Sequence, residues 1–146
     1  RGEARAGPAL MLTDTGPILA ILDRGDQFHG ACMEAANAIK GPMITTWPCF
    51  GEAMYMLGRN GGYRLQESLW NLRKLGILAV RDLTEAEIDR AEELMAQYRD
   101  SPMDLGDASL VAMAEARGIG QVFTLDRHFL WYRLADGRTL ESLPVL

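Results

Sequence analysis

Carboxylates placed at the ends of short apolar runs carry the chemistry open to this sequence. The stretch Pro102 to Phe129, PMDLGDASLVAMAEARGIGQVFTLDRHF, sets Asp104 and Asp107 at a helix entrance, breaks at Gly118-Ile119-Gly120, and runs through apolar Gln121 to Leu125 onto Asp126. Three residues apart, Asp104 and Asp107 share a helix face, and both lie in the first turn, where the helix dipole favours negative charge. Behind them Leu105, Ala108, Leu110, Val111, Ala112, Met113 and Ala114 make a helix apolar nearly all round, as a buried helix is. Asp14 closes the apolar run Ala9 to Leu12 within Thr13-Asp14-Thr15-Gly16-Pro17, and Glu52 lies one turn inside the helix opened by Thr46-Trp47-Pro48. Taken singly, each Asp also reads as a helix cap. Asp104 fits that role well, Asp126 could cap whatever starts at Arg127, and for Asp14 the two readings balance. Glu52, among Phe50, Ala53, Met54, Met56 and Leu57, needs a partner or a metal.

The strand C-termini of a parallel sheet lie along one edge, and ligands bind there, so Asp14, Asp107, Asp126 and Glu52 can converge. Carboxylate oxygens without accompanying His or Cys suit hard cations, Mg²⁺ or Mn²⁺, which keep waters and take a phosphate as well. That chemistry is metal-assisted phosphodiester hydrolysis, which needs no side-chain nucleophile. The chain has no GxSxG, GxxxxGK[ST] or HExxH, no GxGxxG after a strand, and no second Asp after Asp14 of the kind a phospho-aspartate phosphatase shows.

The elements that would position these acids alternate. A strand ending near Leu12 leads through Gly16, which allows a sharp bend, into a helix begun by Pro17 and carrying Ile18, Leu19, Ile21 and Leu22. Phe28, Ala31, Cys32, Ala35 and Ile39 mark one face of a second helix, with His29 beside it as a surface or satisfied residue. Met43 to Thr45 is a strand, Pro48 to Gly58 or Arg59 a helix closed by Asn60-Gly61-Gly62, and Tyr63, Leu65, Leu69, Leu72 and Leu75 face one side of the next. Ile77 to Val80 is a strand. Thr84-Glu85-Ala86-Glu87 is a capping box opening a helix with Ile88, Ala91, Leu94 and Met95 inward and Glu85, Glu87, Asp89, Glu92 and Glu93 on a solvated face. Phe129 to Tyr132 reads as extended, Asp136-Gly137 as a turn, and Thr139 to Leu143 as a last strand. Short strands alternating with helices give an α/β chain with a mostly parallel sheet covered on both faces.

At 146 residues the length is that of one domain. Residues 1–8 read as an N-terminal tail of partly non-native origin, with Met11 at or near a native start, and 9–146 as a single domain. The opening run lacks an apolar core of signal-peptide type, and no stretch reads as a membrane span. Cys32 and Cys49 have neither metal-ligand nor disulfide-framework spacing, which points to a reducing, cytoplasmic compartment. A net charge of −5 argues against a protein that coats nucleic acid, but not against a nuclease whose own site is a knot of carboxylates.

LTDTGPILAIL, TTWPCFGEAMYML, MDLGDASLVAMAEARG and FTLDRHF, in that order, resemble the four signature segments of the PIN-domain family, most of all its VapC-type toxin ribonucleases, across Met11 to about Phe129. The resemblance implies a three-layer α/β/α sandwich with about five strands, and a Mg²⁺- or Mn²⁺-dependent endoribonuclease that is usually a homodimer inhibited by a cognate antitoxin. Position by position, the metal acids of the family fall on Asp14, Glu52, Asp107 and Asp126, with Asp104 matching an accessory acid. Thr13, Thr15 and Thr124 stand where hydroxyl residues orient the carboxylates or the bound water, and Arg127 where substrate phosphate would pass; His128 beside it reads more as a solvent-exposed residue than as a phosphate contact. The alternative is a catalytically inactive PIN-like module that binds RNA or a protein. The full set of acids favours the enzyme. A receiver domain is a third possibility, but it would show paired acids after the first strand and a late Lys.

Overall fold

The structure, a computed structural model, describes residues 9–144; the tail read at residues 1–8 lies outside them. Five strands, β1 Met11–Thr13, β2 Met43–Thr46, β3 Leu78–Arg81, β4 Gln121–Phe123 and β5 Glu141–Leu143, form one sheet in the order β3-β2-β1-β4-β5. Every pairing is parallel, with Leu12 beside both Ile44 and Val122. Helices α1 (Thr15–Leu22), α2 (His29–Ala38), α3 (Trp47–Gly61) and α4 (Tyr63–Lys74) pack on one face, and α5 (Glu85–Gln97) and α6 (Leu105–Arg117) on the other. The three-layer sandwich expected from the sequence is the observed fold. Among the described residues no helix is long and apolar enough to cross a membrane.

Alternation along the short strands divides the core. Leu12, Ile44 and Val122 point to α5 and α6, and Met11, Met43, Leu78 and Phe123 to α1–α4. Because β1 has β2 on one side and β4 on the other, the chain's winding reverses between β1 and β4. The chain leaving β1 turns to the face of α1 and the chain leaving β4 to the face of α6, and their divergence leaves a crevice at the strand ends.

Several local expectations are corrected. β1, β3 and β5 start one or two residues later than the expected runs, β1, β2 and β3 extend by one residue to Thr13, Thr46 and Arg81, and β4 stops at Phe123. Phe129 to Tyr132 is not extended: a 3-10 turn spans Arg127–Leu130, and Phe129 is fully buried beneath it. Gly16 needs no special backbone, for its φ is not positive and an added Cβ would only touch Leu125 at 3.5 Å. On the expected face of α2, Cys32 is buried with Ala35 and Ile39 packed beside it, whereas Ala31 is exposed and Phe28 lies exposed ahead of the helix. His29 is satisfied, its Nδ1 lying 2.6 Å from the Ala20 carbonyl.

On α5, Glu87 turns inward and Ile88 outward, reversing the expectation for both. The helix buries Glu87, Ala91 and Leu94, spaced four and three apart, and Arg117 of α6 meets the Glu87 carboxylate at 2.9 Å. Arg90 joins Glu115 in the same way at 2.8 Å. The carboxylate at 87 therefore does two things, completing the capping box with Thr84 and locking α5 to α6.

Candidate active site

Asp14 follows β1 directly and caps α1, its Oδ1 accepting the Thr15 N–H at 2.8 Å. Its other oxygen accepts the Thr124 hydroxyl at 2.8 Å, and the same hydroxyl accepts the Asp126 N–H at 2.9 Å. Thr124 thus ties the acid after β1 to the acid after β4 across the crevice. Asp104 caps α6 by accepting the Asp107 N–H at 2.8 Å, and Asp107 reciprocates toward the Asp104 N–H at 3.4 Å. The first turn of α6 comes up against α3 at Gly106, where an added Cβ would stand 3.3 Å from the Cys49 sulfur.

These constraints bring one carboxylate oxygen each of Asp14, Asp107 and Asp126 within 4.8 Å of one another. Glu52 and Asp104 line the same cleft of about 300 Å³, with Gly16, Leu19, Met56 and Leu125. The expectation that Glu52 is enclosed in an apolar helix does not hold: it is exposed on the face of α3 turned to the cleft, and it is not one of the close trio. Asp104, likewise exposed, is a helix cap that also lines the cleft.

Burial of the trio has an electrostatic consequence. Desolvation raises the Asp14 carboxyl to about 6 against the pull of Thr124 and Thr15, with repulsion from Asp126 and Asp104 adding to the rise. Asp107 is raised to about 8, by burial first and then by Asp14, Asp104 and Asp126. Glu52 is also raised, by desolvation and Asp104. Among the described residues no Lys or Arg forms an ion pair with any of these acids. Hard oxygen donors, close together and repelling one another with no Lys or Arg paired to them, are the donor set that fits Mg²⁺ or Mn²⁺.

The hydroxyl residues divide. Thr124 orients two acids and Thr15 gives Asp14 its N–H, but the Thr13 hydroxyl bonds the Met11 carbonyl at 3.2 Å and orients no carboxylate. Thr13 belongs to the strand framework, its own carbonyl accepting from Thr45 at 2.7 Å. Arg127 is exposed and forms no ion pair with the acids. Solvent exposure as the reading of His128 is corrected, since its Nδ1 lies 2.7 Å from Asp126 Oδ1. The reading of the sequence assigned no role to Tyr132, whose hydroxyl stands 3.3 Å from Asp107 Oδ2. It also missed the floor beneath the acids. There Thr46 and Ser109 share a 2.7 Å hydrogen bond, and burial pushes the Cys49 thiol up to about 12, leaving it inert. The spacing of His128, two residues past an acid, was the one available signal.

Similarity to known proteins agrees with this geometry. Ribonuclease VapC26 of Mycobacterium tuberculosis is 26% identical over 137 residues, covering 92% of this chain and all of that protein. The crystal structure of Mycobacterium tuberculosis VapC20, described as a sarcin-ricin loop cleaving toxin, superposes with a TM-score of 0.79 at 21% identity, over 88% of this chain and 98% of that one. VapBC2 of Rickettsia felis, solved bound to a DNA fragment from its promoter, gives a TM-score of 0.64 at 12% identity, over 91% and 98% of the two chains. The profile of the PIN domain matches residues 11–135, from the first strand through the acid cluster and beyond it, and the chain belongs to the PIN-domain family.

Proposed function

We propose that this chain is a Mg²⁺- or Mn²⁺-dependent endoribonuclease and the toxin of a toxin–antitoxin pair. The observation that carries the reading is the trio Asp14, Asp107 and Asp126, whose oxygens lie within 4.8 Å of one another at the point where the sheet's winding reverses. The ribonuclease and toxin names of its relatives support the substrate class. The chemistry such an ion supplies when bound is activation of water for in-line attack and neutralisation of charge at the leaving oxygen.

The chain's own residues do the rest. Asp14, Asp107 and Asp126 would hold the cation, with Glu52 and the accessory Asp104 adding carboxylates from the wall of the same cleft. Thr124 and the Thr15 N–H keep Asp14 from rotating. Arg127, exposed beside the last acid, meets the RNA phosphate. Toxin–antitoxin complexes among the similar structures support a cognate antitoxin as partner, and two free, buried cysteines suit a reducing cytoplasm. The test is incubation of purified protein with single-stranded or looped RNA. Cleavage to 3′-hydroxyl ends with Mn²⁺ or Mg²⁺, and none in EDTA, is expected; robust cleavage in EDTA would contradict the reading.

A further inference from the structure

The segment after Asp126 packs against the acid cluster in a way that no sequence motif explained. Asp126 Oδ1 accepts both the His128 backbone N–H at 2.9 Å and the His128 ring at 2.7 Å. That oxygen is thereby occupied, and the carboxylate is left with Oδ2 to give to the cluster. The ring can make this bond as donor only with its proton on Nδ1. It is held at that angle by stacking on Tyr132, 6.2 Å away at 19°, and by the edge of Trp131 at 5.7 Å.

Tyr132 in turn is buried, wedged against Tyr98 and Phe129 at 5.1 and 5.3 Å. Its phenol donates to the Pro102 carbonyl, two residues before the Asp104 cap, while the same oxygen stands 3.3 Å from Asp107 Oδ2. Tyr132 N–H bonds the His128 carbonyl at 3.1 Å, so one turn of backbone sets the two rings face to face.

We propose that this turn is a clamp on the acid cluster, with His128 and Tyr132 as positioning residues: His128 fixes the Asp126 carboxylate, and Tyr132 fixes the loop that delivers Asp107. The proposal rests on the metal-site reading above. Hydrogen bonds of this kind to metal-ligating groups change affinity by about 10–100-fold when removed. His128 is partly exposed, so its loss leaves the core intact.

Titration of the purified protein with Mn²⁺, followed by calorimetry, and melting in EDTA test it without any activity measurement. His128→Ala is expected to weaken Mn²⁺ binding by about tenfold or more while leaving the EDTA melting temperature near that of the parent. His128→Asn, whose amide N–H can reach the place of Nδ1–H, restores most of that affinity. Tyr132→Phe keeps the buried ring and weakens binding several-fold. Parent-like Mn²⁺ affinity in both His128→Ala and Tyr132→Phe would overturn the clamp while leaving the metal site standing. A parent that binds no Mn²⁺ would overturn the metal site, and the clamp with it.

Discussion

Asp107 shows that capping a helix and standing in the acid cluster are not rival descriptions of one residue. Its carboxylate completes the capping box of α6 and at the same time stands in the trio, because the first turn of that helix opens onto the crevice. Asp107→Asn, which keeps the shape and removes one charge, is expected to melt higher than the parent in EDTA, to gain less from Mn²⁺ and to lose RNA cleavage. Saturating metal at about a hundredfold over Kd would add about 2.7 kcal/mol to the parent; equal gains in both proteins would make Asp107 a cap alone. The pH dependence follows from the same repulsion. Asp14 and Asp107 hold protons in the fold up to about 6 and about 8, so above the ordinary carboxylate range the folded state binds more protons than the unfolded. Their contribution to metal-free stability is therefore greatest near pH 4 and is lost as pH rises toward 8. Glu87, held below its usual range chiefly by its hydrogen bond to Arg117, changes only below that window. Melting in EDTA from pH 5 to 8 should show a falling midpoint, and Mn²⁺ should flatten it. The acids were legible in the sequence because Asp14 and Asp126 end apolar runs and Asp104 and Asp107 open an apolar helix. The division between Thr13 and Thr124 was not: both stand at strand ends, and only the pairing of β1 with β4 decides which hydroxyl meets Asp14.

Among the elements, α5 was legible in place and in its capping box but not in its orientation. Glu87 was assigned to the solvated face because it lies among acids, and its partner Arg117 is thirty residues away on another helix. A buried carboxylate left without its cation costs about 3 kcal/mol or more. Arg117→Ala should accordingly lower stability by about 3 kcal/mol in urea unfolding, while cleavage at saturating Mn²⁺ survives. A loss below about 0.5 kcal/mol would place the pair among ordinary surface ion pairs. The 3-10 turn at Arg127–Leu130 was misread as extended for a related reason. An aromatic-rich run of this length fits either state locally, and the Asp126 cap and the burial of Phe129 decide the matter.

On the scale of the whole molecule, alternating strands and helices fixed a parallel sheet, and the reversal of winding beside β1 put the acids where such sheets bind ligands. Of the many apolar residues on α3 and α4, Leu57, Leu65 and Leu69 are spent in the molecule's own core. The large apolar side chains that remain exposed on the two helices are Trp47 (41%), Tyr55 (64%), Tyr63 (66%) and Trp70 (36%), a smaller aromatic surface that we expect to pair two copies. Light scattering should give a dimer at micromolar concentration, and Trp70→Glu should shift it toward monomer. A monomeric parent would contradict that assignment and leave the acid cluster untouched. The claim on which the rest depends is that Asp14, Asp107 and Asp126 hold a cation together, and a crystal soaked in Mn²⁺ tests it most directly. An anomalous peak between the three carboxylates, about 2.0–2.3 Å from an oxygen of each, is the expected result. An empty cleft at saturating Mn²⁺, with Asp107 bonded only within its capping box, would contradict it.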